Sequence, residues 1–217
     1  MASLMKIDCA DKENHHADGL NPGIMPHFPS KIFAVGRSGS GKGSTIKNLL
    51  LTAVPPYDAI VLLHYAPEST LEWDDVEPTK KLTIDEFPTD PSDLFDRTKK
   101  NAIVCDELSF EGMTRANKGK LDRCVNFSCS HFSCTLFMIQ QNFVSIPPSI
   151  RRAADWLIIW PSVDQNSMDY ISRLTGHDMR QLKRLCQTKY DSIALDFSGD
   201  GPAVRSNLFT PIEDVDA

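Results

Sequence analysis

Residues 31–45 read KIFAVGRSGSGKGST. Lys31 to Val35 is a short apolar run that ends at glycine, and Ile46, Leu49, Leu50 and Ala53 then recur at helical spacing until Pro55 and Pro56 stop the helix. Strand, glycine-rich loop and helix therefore follow one another directly. In that setting Gly36-Arg-Ser-Gly-Ser-Gly-Lys42 predicts a phosphate-binding loop. Its glycines let backbone N–H groups curl around the β- and γ-phosphates, the helix N-terminus adds partial positive charge, and Lys42 bridges phosphate oxygens. The expected ATP-binding set is Gly36, Arg37, Ser38, Gly39, Ser40, Gly41, Lys42, Gly43, Ser44 and Thr45. One position departs from the pattern. The residue after the lysine is normally Ser or Thr, whose hydroxyl ligates Mg²⁺, but here it is Gly43. Either Ser44 reaches the metal through a shifted first helical turn, or water replaces the ligand, or nucleotide binds with weakened hydrolysis; Ser44 is the favoured ligand.

Two further apolar runs end in chemistry. Ala102-Ile-Val-Cys-Asp106-Glu107 reads as a buried strand whose end presents adjacent carboxylates. Beside a phosphate loop, Asp106 would hold the Mg²⁺ shell and Glu107 would polarise a water for attack on the γ-phosphate. This pair separates a hydrolase from a small-molecule kinase, which must exclude water. Phe137-Met-Ile-Gln-Gln141 is a third buried run, ending in two amides where the carboxyl edge of a sheet lines a nucleotide crevice. A glutamine there can hydrogen-bond the γ-phosphate or the attacking water and report its loss.

The rest of the chain frames these segments. Strands are expected at residues 59–64, 81–87, 101–106, 134–139 and 155–160, and helices at 91–98, 112–131, 162–174 and 178–187. Runs apolar throughout, separated by helix-length segments, indicate an α/β fold with a mainly parallel sheet covered on both faces. YDSIALDF and AVRSNLF, around a Ser-Gly-Asp-Gly-Pro turn, predict a β-hairpin at its edge. Residues 65–78, acidic and without period, read as a surface insertion. The polar first 30 residues, with three prolines in NPGIMPHFP, read as a flexible arm, and residues 210–217 as an acidic tail, leaving 31–209 as one domain.

The net charge of −6 argues against nonspecific coating of nucleic acid. Any DNA contact must be focused. Residues 58–96 hold eleven acids and two bases, whereas 97–123 hold seven bases and four acids. The basic stretch carries Arg115, Lys118, Lys120 and Arg123, the candidates for touching DNA; solvated loops of opposite sign give the same count. The six cysteines include no C-x-x-C pair, and the five-residue steps of Cys124, Cys129 and Cys134 match no zinc ligand spacing. Reduced, mostly buried thiols in an intracellular, non-secreted protein fit best. No apolar run approaches the ~18 residues of a membrane span.

The run Gln141-Asn-Phe-Val-Ser-Ile-Pro147-Pro-Ser-Ile-Arg151, followed by Ala-Ala-Asp-Trp-Leu-Ile-Ile, resembles the FtsK/HerA superfamily. Within it, the look is that of the genome-packaging ATPases of double-stranded DNA viruses, of the poxvirus-like and virophage-like branch. Val204-Arg205-Ser-Asn207 in the closing hairpin is similar to that branch too, so the resemblance covers residues 31–209. It implies a RecA-like P-loop NTPase of ASCE type, with Gly36 to Lys42 as Walker A, Asp106 and Glu107 as Walker B, and Gln141 as sensor. Lys42, Glu107, Gln141 and Arg151 become the catalytic candidates, and Ser44 and Asp106 the metal ligands. Many relatives carry Gly-Arg-His ahead of the sensor strand; here Cys129-Ser130-His131 stands in its place, so that trans-acting arginine is absent. Arg151, Arg152, Arg115 and Arg123 remain for serving a neighbouring subunit, binding DNA phosphates or facing solvent.

The resemblance further implies a homo-oligomeric ring, pentamer or hexamer, that hydrolyses ATP with Mg²⁺ and moves double-stranded DNA into a capsid, with a capsid or portal protein as partner. A cellular FtsK/HerA-type translocase and a hydrolysis-poor structural subunit are the rival readings.

Overall fold

Alternation along the central strands decides the architecture. In the computed structural model, which describes residues 28–184, 186–199, 202–208 and 210–211, β1 (Lys31–Val35) sends Phe33 and Val35 into one apolar core and Ile32 and Ala34 into another. β4 (Asn101–Asp106) and β5 (Cys134–Gln140) do the same, with Ile103, Cys105, Leu136 and Met138 on one face and Ala102, Val104, Phe137 and Ile139 on the other. A strand apolar on both faces must be covered on both. Helix α1 (Lys42–Leu51) covers the second face with Ile46, Leu49 and Leu50. The first face is covered by Leu121 of α2 (Arg115–Arg123), Cys129 of α3 (Cys129–His131), Ile150 of α4 (Pro148–Arg151), Met168 and Ile171 of α5 (Gln165–Thr175), and Met179 and Leu182 of α6 (Met179–Arg184).

Among the described residues nine strands form one sheet in the order β3-β2-β4-β5-β1-β6-β7-β8-β9. β3 (Lys80–Leu82), β2 (Ala59–His64), β4, β5, β1 and β6 (Trp156–Ile159) run parallel. β7 (Ile193–Asp196), β8 (Ala203–Ser206) and β9 (Thr210–Pro211) continue antiparallel, so the closing hairpin lies on the sheet edge as its sequence indicated. The register matters most at the carboxyl ends: Val35 pairs with Gln140, and Asp106 with Ile139. β5 thus lies between the loop strand and the acid strand, and its amides emerge between them.

Three local details depart from the pattern reading. The strand expected at 81–87 is only three residues long, Lys80–Leu82, and the helix expected at 91–98 is one turn of 3-10 helix, Pro91–Asp93, capped by Asp90. The segment read as a surface insertion is anchored: its acids Asp74, Asp75 and Glu77 are exposed, but Trp73 is wholly buried and Val76 nearly so, both in the α1-side core. The five-residue cysteine spacing has a structural origin. Residues Cys124–Ser128 form a π-turn, in which the Cys129 N–H donates to the Cys124 carbonyl, so residues five apart stack on one buried face. Both are free thiols, and the described residues include no group of three or more His, Cys, Asp and Glu that could hold a metal. Phe28 is buried with Tyr57 and Lys100 against its ring; the first 27 residues of the arm, with Cys9, and residues 212–217 of the tail read from residue 210 lie outside the described residues.

Candidate nucleotide-binding site

The loop between β1 and α1 is held by a set of hydrogen bonds. Gly36 N–H donates to the Gln140 carbonyl at 3.2 Å, tying the loop start to β5, and Arg37 N–H donates to Ser162 Oγ at 3.0 Å. Ser40 is buried and its N–H donates to the Arg37 carbonyl at 3.3 Å. Gly41 caps α1 at φ 101°, a left-handed conformation costly for any residue with a Cβ. The helix then opens with Thr45 N–H donating to the Gly41 carbonyl at 2.9 Å. Lys42, only 6% exposed, folds back so that Nζ donates to the Arg37 carbonyl at 2.9 Å. Burial pulls its ammonium below the ordinary lysine value, opposed by the carboxylates of Glu107, Asp106 and Glu72. A desolvated cation facing three carboxylates is placed to trade that carbonyl for phosphate oxygens.

β4 ends at Asp106, and the second carboxylate, Glu107, follows it directly. Asp106, at the end of β4, is buried and accepts a hydrogen bond from the Trp73 indole Nε1 at 2.8 Å. Burial pushes its carboxyl above the usual range, the indole bond opposes this, and Glu72 and Glu107 add to the rise. Glu107 is exposed and holds φ 50°, an uncommon conformation of the kind that collects at active sites. Gln141 Nε2 reaches Glu107 Oε1 at 3.5 Å, whereas Gln140 is buried with its amide donating to the Leu108 carbonyl at 3.1 Å. Of the two amides, the second faces the acid pair and the first ties down the strand end.

These parts enclose an open cleft of about 220 Å³ lined by Ser38, Gly39, Gly41, Lys42, Gly43, Ser44, Glu72, Asp106, Glu107, Ile139 and Tyr190. Asp106 and Ser44, the expected metal ligands, both line it. Arg151 does not: its guanidinium stacks 4.4 Å from the Tyr170 ring centroid and 5.8 Å from that of Phe143. Of the basic residues on α2, Arg115, Lys118 and Arg123 are exposed, while Lys120 Nζ donates to the Asp85 carbonyl at 3.1 Å.

Glu72, Trp73 and Tyr190 escaped the sequence reading. The signal for the first two was a tryptophan within an acidic run, an apolar ring that has to be buried somewhere. Tyr190 lies in a loop with no pattern; its ring stands 3.6 Å from where a Gly41 Cβ would be, and its carbonyl accepts from Trp160 Nε1 at 3.2 Å.

Neither a protein-family model nor a curated protein matches the chain. Solved structures do. The genome-packaging NTPase B204 of Sulfolobus turreted icosahedral virus 2, in complex with ATP-gammaS, aligns with TM-score 0.57 and 18% identity over 81% of this chain and 96% of that one. B204 of Sulfolobus Turreted Icosahedral Virus, a DNA-packaging ATPase, aligns with TM-score 0.60 and 14% identity over 85% and 99%. The chain has the fold of the RecA-like P-loop ATPases. The pCW3 conjugation coupling protein TcpA, with ATPgS, shares it at TM-score 0.59 and 14% identity over 84% of this chain and 60% of that one. The likeness therefore falls among the ATPases to which the motifs of residues 31–209 pointed. Among the described residues no helix is long and apolar enough to cross a membrane.

Proposed function

We propose that this chain is an ATP-hydrolysing subunit of a motor that moves double-stranded DNA, acting in viral genome packaging. One observation carries the reading: a glycine-rich loop with a buried lysine and the two carboxylates at the end of a parallel strand open into one cleft, with Gln141 hydrogen-bonded to the second carboxylate. Backbone N–H groups of residues 38–44 bind the triphosphate at the start of α1, and Lys42 moves from the Arg37 carbonyl to the phosphates. Glu107 takes a proton from the attacking water, and Gln141, beside it, orients that water and registers loss of the γ-phosphate. Asp106 would hold Mg²⁺, which when bound offsets charge on the β- and γ-phosphate oxygens, and Ser44 lines the same cleft. The likeness in fold to B204, a genome-packaging NTPase, supports the packaging reading.

The motor would work as a homo-oligomeric ring in the infected cell, docking on a capsid or portal protein, with Arg151 or a neighbouring arginine reaching the next subunit and Arg115, Lys118 and Arg123 facing DNA. Steady-state ATP hydrolysis by purified protein, with and without double-stranded DNA, tests this. Glu107→Gln is expected to lower kcat about a hundredfold or more while leaving nucleotide binding intact. Native protein without turnover, or turnover unmoved by Glu107→Gln, would replace it with the hydrolysis-poor structural reading.

A further inference from the structure

The missing Ser or Thr after Lys42 has a structural counterpart in the segment that joins β2 to β3. A Cβ built on Gly43 would collide with Glu72 Oε1 and would stand 3.4 Å from its Cδ. A carboxylate therefore occupies the direction in which that hydroxyl side chain would point. Ser44 cannot share this direction, because successive helical residues diverge by about 100°. Glu72 is fixed on both sides although its own side chain is exposed: Lys47 Nζ donates to its carbonyl at 2.9 Å and pairs with Asp75 at 3.5 Å, and the next residue, Trp73, is buried with its indole on Asp106. The segment thus presents Glu72 between the first turn of α1 and the acid strand, on the wall of the nucleotide cleft.

On the ATPase reading above, we infer that the Glu72 carboxylate takes the place in the Mg²⁺ shell that the side chain after the P-loop lysine normally holds. Mg²⁺ in nucleotide sites is held by one or two carboxylates with phosphate oxygens and water, so Asp106 and Glu72 suffice without a closed protein cage. The same exchange accounts for Gly43: glycine is the one residue that leaves room for the carboxylate. Asp106, Glu107 and Glu72 line the cleft with Lys42.

Mn²⁺ binding with ATPγS, read by electron paramagnetic resonance and independent of turnover, tests the inference. Glu72→Gln is expected to weaken Mn²⁺ about tenfold or more, while Asp74→Asn, an exposed carboxylate of the same segment, leaves it unchanged. In Glu72→Ala with Gly43→Thr, the threonine has room and supplies the hydroxyl, and affinity returns to within about threefold of native. Native binding retained by Glu72→Gln would overturn the inference and leave the ATPase reading standing. So would a loss in Glu72→Gln that the double variant does not restore, since that marks a long-range charge effect. Native protein that binds no Mn²⁺ with ATPγS would overturn both. Thermal melting of each variant confirms that it is folded.

Discussion

The two walls of the nucleotide cleft are built on opposite principles. One, residues 31–45, is local: strand, loop and helix are contiguous, and the loop is held by bonds to its own carbonyls and to adjacent strands. The other, residues 65–78, has no regular period and only one turn of 3-10 helix, and it reaches the cleft through Glu72 and Trp73, whose partners Lys47 and Asp106 come from two other places in the chain. A catalytic wall made by local geometry keeps its shape from sequence alone. A wall made by tertiary anchors keeps its shape only while the anchors hold, and the difference can be broken one side at a time.

Breaking the local wall has the largest effect. Lys42→Ala removes the cation aimed at the phosphates and is expected to lower kcat about a hundredfold or more, with far smaller change in urea stability, since the side chain bonds only to a loop carbonyl. Steady-state kinetics beside urea denaturation checks the split.

Breaking the tertiary wall reverses the pattern. Trp73→Phe keeps the ring but takes the donor from a buried carboxylate, and is expected to cost about 1–3 kcal/mol in urea unfolding. Its effect on kcat should be secondary, through loosened placement of Asp106 and Glu72.

The smallest effect sharpens the comparison where the walls meet. The Asp106 carboxyl is held above its ordinary value in the folded chain, so the unfolded chain releases its proton first as pH rises. Its contribution to stability is therefore fully present below the unfolded value and is lost as pH climbs through the folded one. Asp106→Asn keeps an acceptor for Trp73 without the charge. Without nucleotide it should raise the Tm at neutral pH, and the gap to native protein should close as pH falls toward 4, while hydrolysis is lost. A gap that widens on acidification would contradict the burial of this charge.

How much of this was legible follows from the range of the interactions. The phosphate loop, the Asp106-Glu107 pair and Gln141 were readable because each is a short pattern at the end of an apolar run, and a parallel sheet carries such ends to one edge. Arg151 was legible as a residue but not as a position: four residues of helix turn it onto Tyr170, and no local pattern shows that ring. The insertion reading of residues 65–78 followed its charges, which are indeed outside; the single tryptophan among them decides its fold.

The order of residues by itself determined a strand, a loop that curls main-chain amides around phosphate, and strands ending in acids and amides, because those features depend on dihedral preference and on period, which are local. Only the tertiary structure decided that β5 lies between the loop and acid strands, that Trp73 clasps Asp106, and that a glutamate 29 residues after Gly43 fills the room the glycine leaves. Those facts depend on which distant surfaces exclude water together, and close packing admits one answer where the sequence pattern admits several.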